Sequence, residues 1–87
     1  MAQSFPDLPI SKEWLNAAAV YPELAGKKVT AQYKGGYEGY AYFGVPGTPP
    51  RGGDGGLLRT GMSVTGTADA LWLCGLMGGT FYLQIED

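Results

Sequence analysis

The spacing of apolar and polar residues predicts a helix near the start of the chain. Residues 12–20 carry apolar side chains at helical spacing, with Ser11 before them as a candidate N-cap and Pro22 after them as a stop signal. Ile10 and Leu15 occupy the two positions of a hydrophobic staple. The pattern therefore predicts an N-terminal helix over residues 12–20.

Residues 1–10 contain two prolines and show no periodic pattern. They are predicted to form an extended N-terminal arm, whose Phe5, Leu8 and Ile10 lie on the body of the domain.

A period of two follows and predicts a β-hairpin over residues 28–43. The loop length decides which side chains share a face, because a shift of one residue exchanges the two faces. A two-residue loop, Gly35-Gly36, places Glu38 on the same side as Val29. A three-residue loop that includes Lys34 separates polar from apolar residues better and keeps the Glu38 carboxylate off the buried side. This second register directs Val29, Ala31, Tyr33, Tyr37, Ala41 and Phe43 inwards and Thr30, Gln32, Glu38, Tyr40 and Tyr42 outwards.

Residues 44–56, GVPGTPPRGGDGG, combine three prolines with six glycines and are predicted to form a long mobile loop. Loops of this length are often functional, and the alternative is a tolerated surface insertion. Beyond them the pattern predicts a β-meander, in which residues 62–67 and 80–85 alternate in polarity. Residues 70–77, ALWLCGLM, are apolar throughout. They suit a strand covered on both faces, which we favour, or a short buried helix.

Together these elements predict one α+β domain over residues 11–87. Its N-terminal helix packs on a twisted antiparallel sheet of four or five strands. The aromatic residues within 27–43 are loosely similar to a hairpin of chromatin-reading and other SH3-like barrels, without a specific motif. The resemblance implies a closed small barrel as an alternative form of the sheet.

Charge and cysteine content limit the classes of partner and location. The chain has 87 residues, a net charge of −2 and a pI near 4.9, so nucleic acid is not the expected partner. One cysteine, Cys74, and the lack of a leader pattern predict a cytoplasmic protein. The longest apolar run, residues 70–77, is far shorter than the ~20 residues that span a bilayer, and no membrane association is expected.

The residue types also argue against an enzyme. The chain has no histidine to act as a general base. Cys74 lies in the most apolar run and is predicted to be buried rather than nucleophilic. One cysteine without histidine excludes the usual zinc sites, and Asp54 in RGGDGG lacks the flanking residues of a calcium or phosphate loop. No catalytic residue, metal or cofactor is predicted.

The outward face of the predicted sheet is the candidate site. Tyrosine offers a large contact area at low entropic cost and is enriched in interfaces. The alternatives are that these tyrosines only pair across strands, or that the helix covers them. The predicted partner-binding residues on this face and beside the loop are Gln32, Glu38, Tyr40, Tyr42, Arg51, Asp54, Arg59 and Tyr82.

The leading functional hypothesis is a small non-catalytic protein-binding domain, an inhibitor or regulator that occludes a site on another protein. One alternative is a structural subunit of a larger homo-oligomeric assembly, formed by self-association, in which the N-terminal arm and the long loop would order against neighbouring copies. A second alternative is an aromatic-face binder of a small ligand or single-stranded nucleic acid, which the acidic net charge disfavours.

Overall fold

The computed structural model describes residues 3–51 and 55–86, and most of their regular structure is β. The strands are β1 (Gln3–Ser4), β2 (Leu8–Ile10), β3 (Leu15–Asn16), β4 (Lys28–Tyr33), β5 (Glu38–Gly44), β6 (Gly56–Arg59), β7 (Ser63–Thr67), β8 (Ala70–Gly75) and β9 (Gly79–Ile85). The helical elements of the described ranges are α1 (Ala17–Val20) and a 3-10 turn (Pro22–Leu24). Neither is long and apolar enough to cross a bilayer.

The strands form two antiparallel sheets that enclose one core. The first sheet has the order β1-β9-β4-β7, with β2 beside β9 on the same edge as β1. The second has the order β3-β8-β5-β6. From β6 to β9, consecutive strands alternate between the sheets. The prediction of antiparallel strands is confirmed. The predicted meander is wrong, because consecutive strands from β6 to β9 lie in different sheets.

The core between the sheets is built from alternate residues of the central strands. Every residue of β8 is buried, which confirms a strand at Ala70–Gly75 over a buried helix. The buried core side chains of the four longest strands are Val29, Ala31, Tyr33, Ala41, Leu71, Leu73, Phe81, Leu83 and Ile85.

The first described residues belong to the first sheet. β1 and β2 pair with β9, and the Phe5 amide between them donates to the Leu83 carbonyl at 3.0 Å. Phe5, Leu8 and Ile10 are buried. Asp7 forms an ion pair with Lys34 at 2.6 Å, which links this segment to the chain after β4.

The predicted α+β fold is wrong, because no N-terminal helix packs on a sheet in the described residues. Leu15 and Asn16 pair with β8, and α1 begins only at Ala17. The Asn16 side chain caps it, accepting from the Ala18 amide at 3.0 Å. A strand turns Leu15 to the core and Trp14 to the opposite face. Sheet pairing and burial here outweigh helix propensities of a few tenths of a kcal/mol per residue.

The predicted hairpin is also wrong. β4 pairs with β7 and β9, whereas β5 pairs with β6 and β8, so residues 34–37 connect two sheets. The alternation nevertheless places Val29, Ala31 and Tyr33 inside, and Tyr40 and Tyr42 outside. Alternation depends only on which face of a strand is covered, so it predicts faces without identifying the neighbouring strand. Tyr37, predicted to face inwards, is exposed on the connection.

Glycines surround the ring of Tyr33, which is fully buried. Its hydroxyl donates to the Gly78 carbonyl at 3.1 Å, and its ring centroid lies 5.3 Å from that of Phe81. A Cβ at Gly39 would lie 2.6 Å from the ring, and one at Gly35 would collide with the hydroxyl. These two glycines therefore provide the space that the tyrosine ring occupies.

We expect Gly39→Ala to lower the free energy of unfolding by about 1–3 kcal/mol, because the added methyl overpacks the site around a ring with no room to move. Gly36→Ala is the matched control, since no atom lies within 4 Å of its Cβ position and its φ is not positive. The control is expected to change stability by less than about 1 kcal/mol. Urea unfolding measures both variants, and equal stabilities would contradict this role for Gly39.

Candidate partner-binding site

The two outer faces of the sandwich carry different side chains. On the first sheet they are hydroxyls and amides, and we call this surface the polar face: Thr30, Gln32, Thr65, Tyr82 and Gln84. On the second sheet they are mainly aromatic, and we call this surface the aromatic face: Trp14, Tyr40, Tyr42, Leu57 and Trp72.

The side chains of the polar face bond to one another. The Tyr82 hydroxyl donates to Gln84 Oε1 at 2.6 Å and shares a 2.6 Å hydrogen bond with the Ser4 hydroxyl. Gln84 Nε2 donates to Glu86 Oε2 at 2.7 Å. A second set joins the hydroxyls of Thr30 and Thr65 at 2.7 Å and Gln32 Nε2 to the Gly61 carbonyl at 3.0 Å.

The aromatic face is built on the pairing of β5 with β8. Tyr40 lies opposite Cys74, and Tyr42 lies opposite Trp72. The Trp72 indole is buried, and its Nε1 donates to the Val45 carbonyl at 3.1 Å. Tyr42 is 37% exposed and Tyr40 is half-buried. The face thus presents partly exposed tyrosines on the strand next to a buried tryptophan.

The Tyr42 ring lies close to Gly44. A Cβ at Gly44 would be 2.9 Å from Tyr42 Cε1 and 3.7 Å from Trp72 Cδ1. The two rings therefore occupy neighbouring space above a position that has no side chain of its own.

Trp14 extends across the same face. It precedes Leu15, whose side chain packs against the core, so alternation directs Trp14 outwards. The tip of its indole, Cη2, lies 3.3 Å from the Cβ position of Gly55, immediately before β6. The indole of Trp14, which is half-buried, therefore reaches from the β3 edge of the sheet towards the opposite edge.

An ion pair borders the aromatic face at one end. Arg59 Nη2 lies 3.6 Å from Glu38 Oε2, and these residues are two positions from Leu57 and Tyr40 on their strands. The Arg59 side chain is 68% exposed, so the pair contributes little to stability. It places charged groups next to the aromatic face, whose own five residues are uncharged.

Cys74 is buried, as predicted, but it is not among the residues between the sheets. It alternates with Leu73, so it lies on the side of the aromatic face, opposite Tyr40. Burial raises the pKa of its thiol above the ordinary value of 9.0. The thiol is therefore protonated at neutral pH, which is the state of an inert buried cysteine.

The predicted site residues divide between two surfaces and a connection. Glu38, Tyr40, Tyr42 and Arg59 lie together on or beside the aromatic face. Gln32 and Tyr82 lie on the polar face, because their strands belong to the other sheet. Arg51 is exposed between β5 and β6, and Asp54 lies outside the described residues.

Sequence reasoning missed the two tryptophans of the aromatic face. The helical pattern places Trp14 within the predicted helix of residues 12–20, and the apolar run of residues 70–77 places Trp72 in a strand covered on both faces. The signal that identifies Trp14 is alternation with Leu15, which the stronger helical pattern obscured. Trp72 faces Tyr42 across β5 and β8, a neighbour that the sequence pattern of β8 alone does not reveal.

Some tyrosine hydroxyls make hydrogen bonds within the chain, and others are available to a partner. Those of Tyr21, Tyr33 and Tyr82 bond to other groups of the chain. Within residues 3–51 and 55–86, the hydroxyls of Tyr37, Tyr40 and Tyr42 make no hydrogen bond. Two of these three available hydroxyls lie on the aromatic face.

Within the part of the chain that the structure describes, no group of three or more Cys, Asp or Glu side chains is arranged to hold a metal ion. No protein-family model, curated protein or solved structure matches this chain.

Tyr42 and Phe43 are consecutive residues on opposite faces of β5, and their truncation should differ in cost. Phe43→Ala removes a ring packed against the core and should cost about 3–5 kcal/mol. Tyr40→Ala and Tyr42→Ala remove partly exposed rings and should cost less than that range. Urea denaturation measures all three, and equal losses would show that the outward assignment is wrong.

The raised pKa of Cys74 predicts slow alkylation in the folded protein. At pH 8 the folded chain holds less thiolate than the unfolded chain and the thiol is buried, so iodoacetamide should react more slowly with the folded chain. Mass spectrometry reads the label without ambiguity because the chain has one cysteine. The neutral buried thiol favours folding below the unfolded pKa near 9.0, and this contribution falls as the pH rises further. Equal labelling rates in folded and urea-unfolded protein would contradict the assignment.

Proposed function

We propose that this chain is a small non-catalytic protein-binding domain, an inhibitor or regulator that uses its aromatic face to occlude a site on a partner protein. The observation that carries the proposal is the state of Tyr40 and Tyr42. Both rings are partly exposed beside Trp14 and Trp72, and their hydroxyls make no hydrogen bond within the described residues.

The arrangement of the aromatic face resembles the composition of protein interfaces. Interface centres are rich in Tyr and Trp, whose rings bury a large area and lose few rotamers, and their rims are polar. Here the buried Trp72 lies opposite Tyr42 in the strand register, and both rings approach Gly44. The Glu38–Arg59 ion pair supplies a charged rim. A tyrosine hydroxyl can then bond to a partner's backbone without breaking an internal bond.

The polar face is a less favourable surface for the same role. A partner that bonds to Gln32 or Tyr82 must first replace the hydrogen bonds these groups already make. The proposed site therefore consists of Trp14, Tyr40, Tyr42, Leu57 and the Glu38–Arg59 pair, with Arg51 as a further predicted contact from the preceding connection.

The chemistry of the face supports binding rather than catalysis. The Cys74 thiol is buried and protonated, and the Glu38 carboxylate is held beside a guanidinium. A protein partner suits a face whose Arg59 guanidinium is already paired with the Glu38 carboxylate better than the phosphate backbone of nucleic acid does. The cytoplasm is the proposed location, since the one cysteine is buried and unpaired as in reducing compartments.

Photocrosslinking from the aromatic face tests the proposal. A benzoylphenylalanine replaces Tyr42 in one variant and, as a matched control, Tyr82 on the polar face in another. Both are irradiated in an extract of cells that naturally produce the chain. We expect a discrete protein adduct from position 42 and none from position 82. With the identified partner purified, calorimetry should show at least about tenfold weaker binding for Tyr40→Ala, as expected at a hot spot.

The controls separate the proposal from its alternatives. Tyr82→Ala should bind the partner with nearly unchanged affinity, and all variants must retain the circular dichroism of the parent. Adducts formed from position 82 and not from position 42 would contradict the use of the aromatic face. An adduct with nucleic acid at position 42 would replace the protein-binding proposal with the stacking alternative.

A further inference from the structure

The free edges of the two sheets differ in how far their backbone groups are protected. An edge strand exposes unpaired amides and carbonyls that can pair with another strand, and proteins usually block such edges. The two sheets have four edges in the described residues. Three of these edges are short or blocked, and the fourth is long and open. The open edge belongs to β7.

The β2 edge is blocked by proline. The Phe5 amide donates to the Leu83 carbonyl, so Leu83 directs its backbone groups towards this edge. Phe81, two residues earlier on β9, points the same way and pairs with Leu8. Backbone direction alternates along a strand, so Pro9, the next residue, faces away from β9. Its position has no N–H to offer another strand, which is the usual place for proline in a sheet.

The two edges of the second sheet are also limited. β3 has only two residues. In β6, the Arg59 amide donates to Met62 Sδ at 3.4 Å, and the Arg59 carbonyl accepts from the Met62 amide at 2.9 Å. The turn after β6 therefore occupies the end of its edge.

The edge of β7 is longer and open. Tyr33 of β4 bonds through its amide to the Met62 carbonyl and through its carbonyl to the Gly61 amide, so it faces β7. The next residue, Lys34, faces the opposite way, because its amide donates to the Thr80 carbonyl of β9. By alternation the β7 residues that bond to β4 are Val64 and Gly66. The backbone groups of Ser63, Thr65 and Thr67 consequently point away from the sheet, and these three residues are exposed.

These outward groups are symmetric about Thr65, and we propose that a second copy of this chain pairs with them. In the dimer, β7 lies antiparallel to β7 of the second copy, with Thr65 opposite Thr65 and Ser63 opposite Thr67. Each facing pair exchanges N–H and C=O groups in the pattern of a hydrogen-bonded antiparallel pair. A two-fold axis through Thr65 relates the copies, as in most homodimers.

The chemistry of β7 favours a copy of itself. Its sequence, SVTGT, contains no charged residue and no proline, so two copies meet without like-charge repulsion or a missing donor. Thr65 would face Thr65 of the second copy on the outer surface, and threonine pairs are favourable across strands. The resulting sheet is continuous through both copies. This interface lies apart from the aromatic face, so the inference goes beyond the proposed function and does not depend on it.

Charge placed on the axis tests the dimer. In Thr65→Lys and in Thr65→Glu, equal charges face each other directly in a homodimer. Sedimentation over about 1 μM to about 1 mM should show a concentration-dependent dimer for the parent chain and dissociation constants about three- to tenfold higher for each variant. An equimolar mixture of the two variants should restore dimers, because opposite charges then meet. Restoration excludes misfolding as the cause of the loss.

Two further readouts locate the interface. Tyr42→Ala, on the aromatic face, should dimerise like the parent. Amide exchange at Ser63, Thr65 and Thr67 should slow as the protein concentration rises, whereas Val64 is protected at every concentration by its bonds to β4. A monomer throughout the concentration range, a dimer insensitive to both charges, or a dimer lost only in Tyr42→Ala would each overturn the inference.

Discussion

The burial of Tyr33 among glycines from both sheets is the constraint on which much of this structure depends. The ring belongs to β4 of the first sheet, and Gly39 on β5 of the second sheet lies against it. Gly79 approaches the same ring from β9, and the hydroxyl bonds to Gly78. One side chain thereby sets the distance between the two sheets and the start of β5. Without a side chain at Gly39, β5 can approach the ring closely enough to enclose it.

The position of β5 determines what the second sheet presents. Because Gly39 faces the core, alternation turns Tyr40 and Tyr42 outwards, where β8 places Trp72 beside them. The five rings of residues 33–44 therefore divide into two that pack in or against the core, Tyr33 and Phe43, one exposed on the connection, Tyr37, and two on the outer face, Tyr40 and Tyr42. Gly35 and Gly39 leave the space that the Tyr33 ring occupies, and the surface role proposed here falls to Tyr40 and Tyr42.

The sequence predicted which residues face inwards better than which strands are neighbours. Alternation depends on local burial, and it placed Tyr33, Tyr40 and Tyr42 correctly. Pairing depends on contacts between distant segments. The assumption of one hairpin therefore placed Tyr82 on the same face as Tyr40 and Tyr42, whereas Tyr82 belongs to the first sheet and the other two to the second. The helix failed for the same reason, since Leu15 is drawn into a strand by β8, a partner more than fifty residues away. Trp14 was lost from the predicted site with it.

The two outer faces also explain how one small chain can offer two independent surfaces. Hydroxyls and amides of the polar face already make hydrogen bonds within the chain, which leaves the unpaired backbone groups of β7 as the feature of the first sheet that can pair with another chain. The aromatic face belongs to the other sheet and points away from it. Pairing through β7 would consequently leave both aromatic faces of a dimer accessible. A partner with two target sites could then contact both aromatic faces of one dimer. The continuous sheet fixes the distance between these faces, and this distance would determine the gain in avidity without any change in either face.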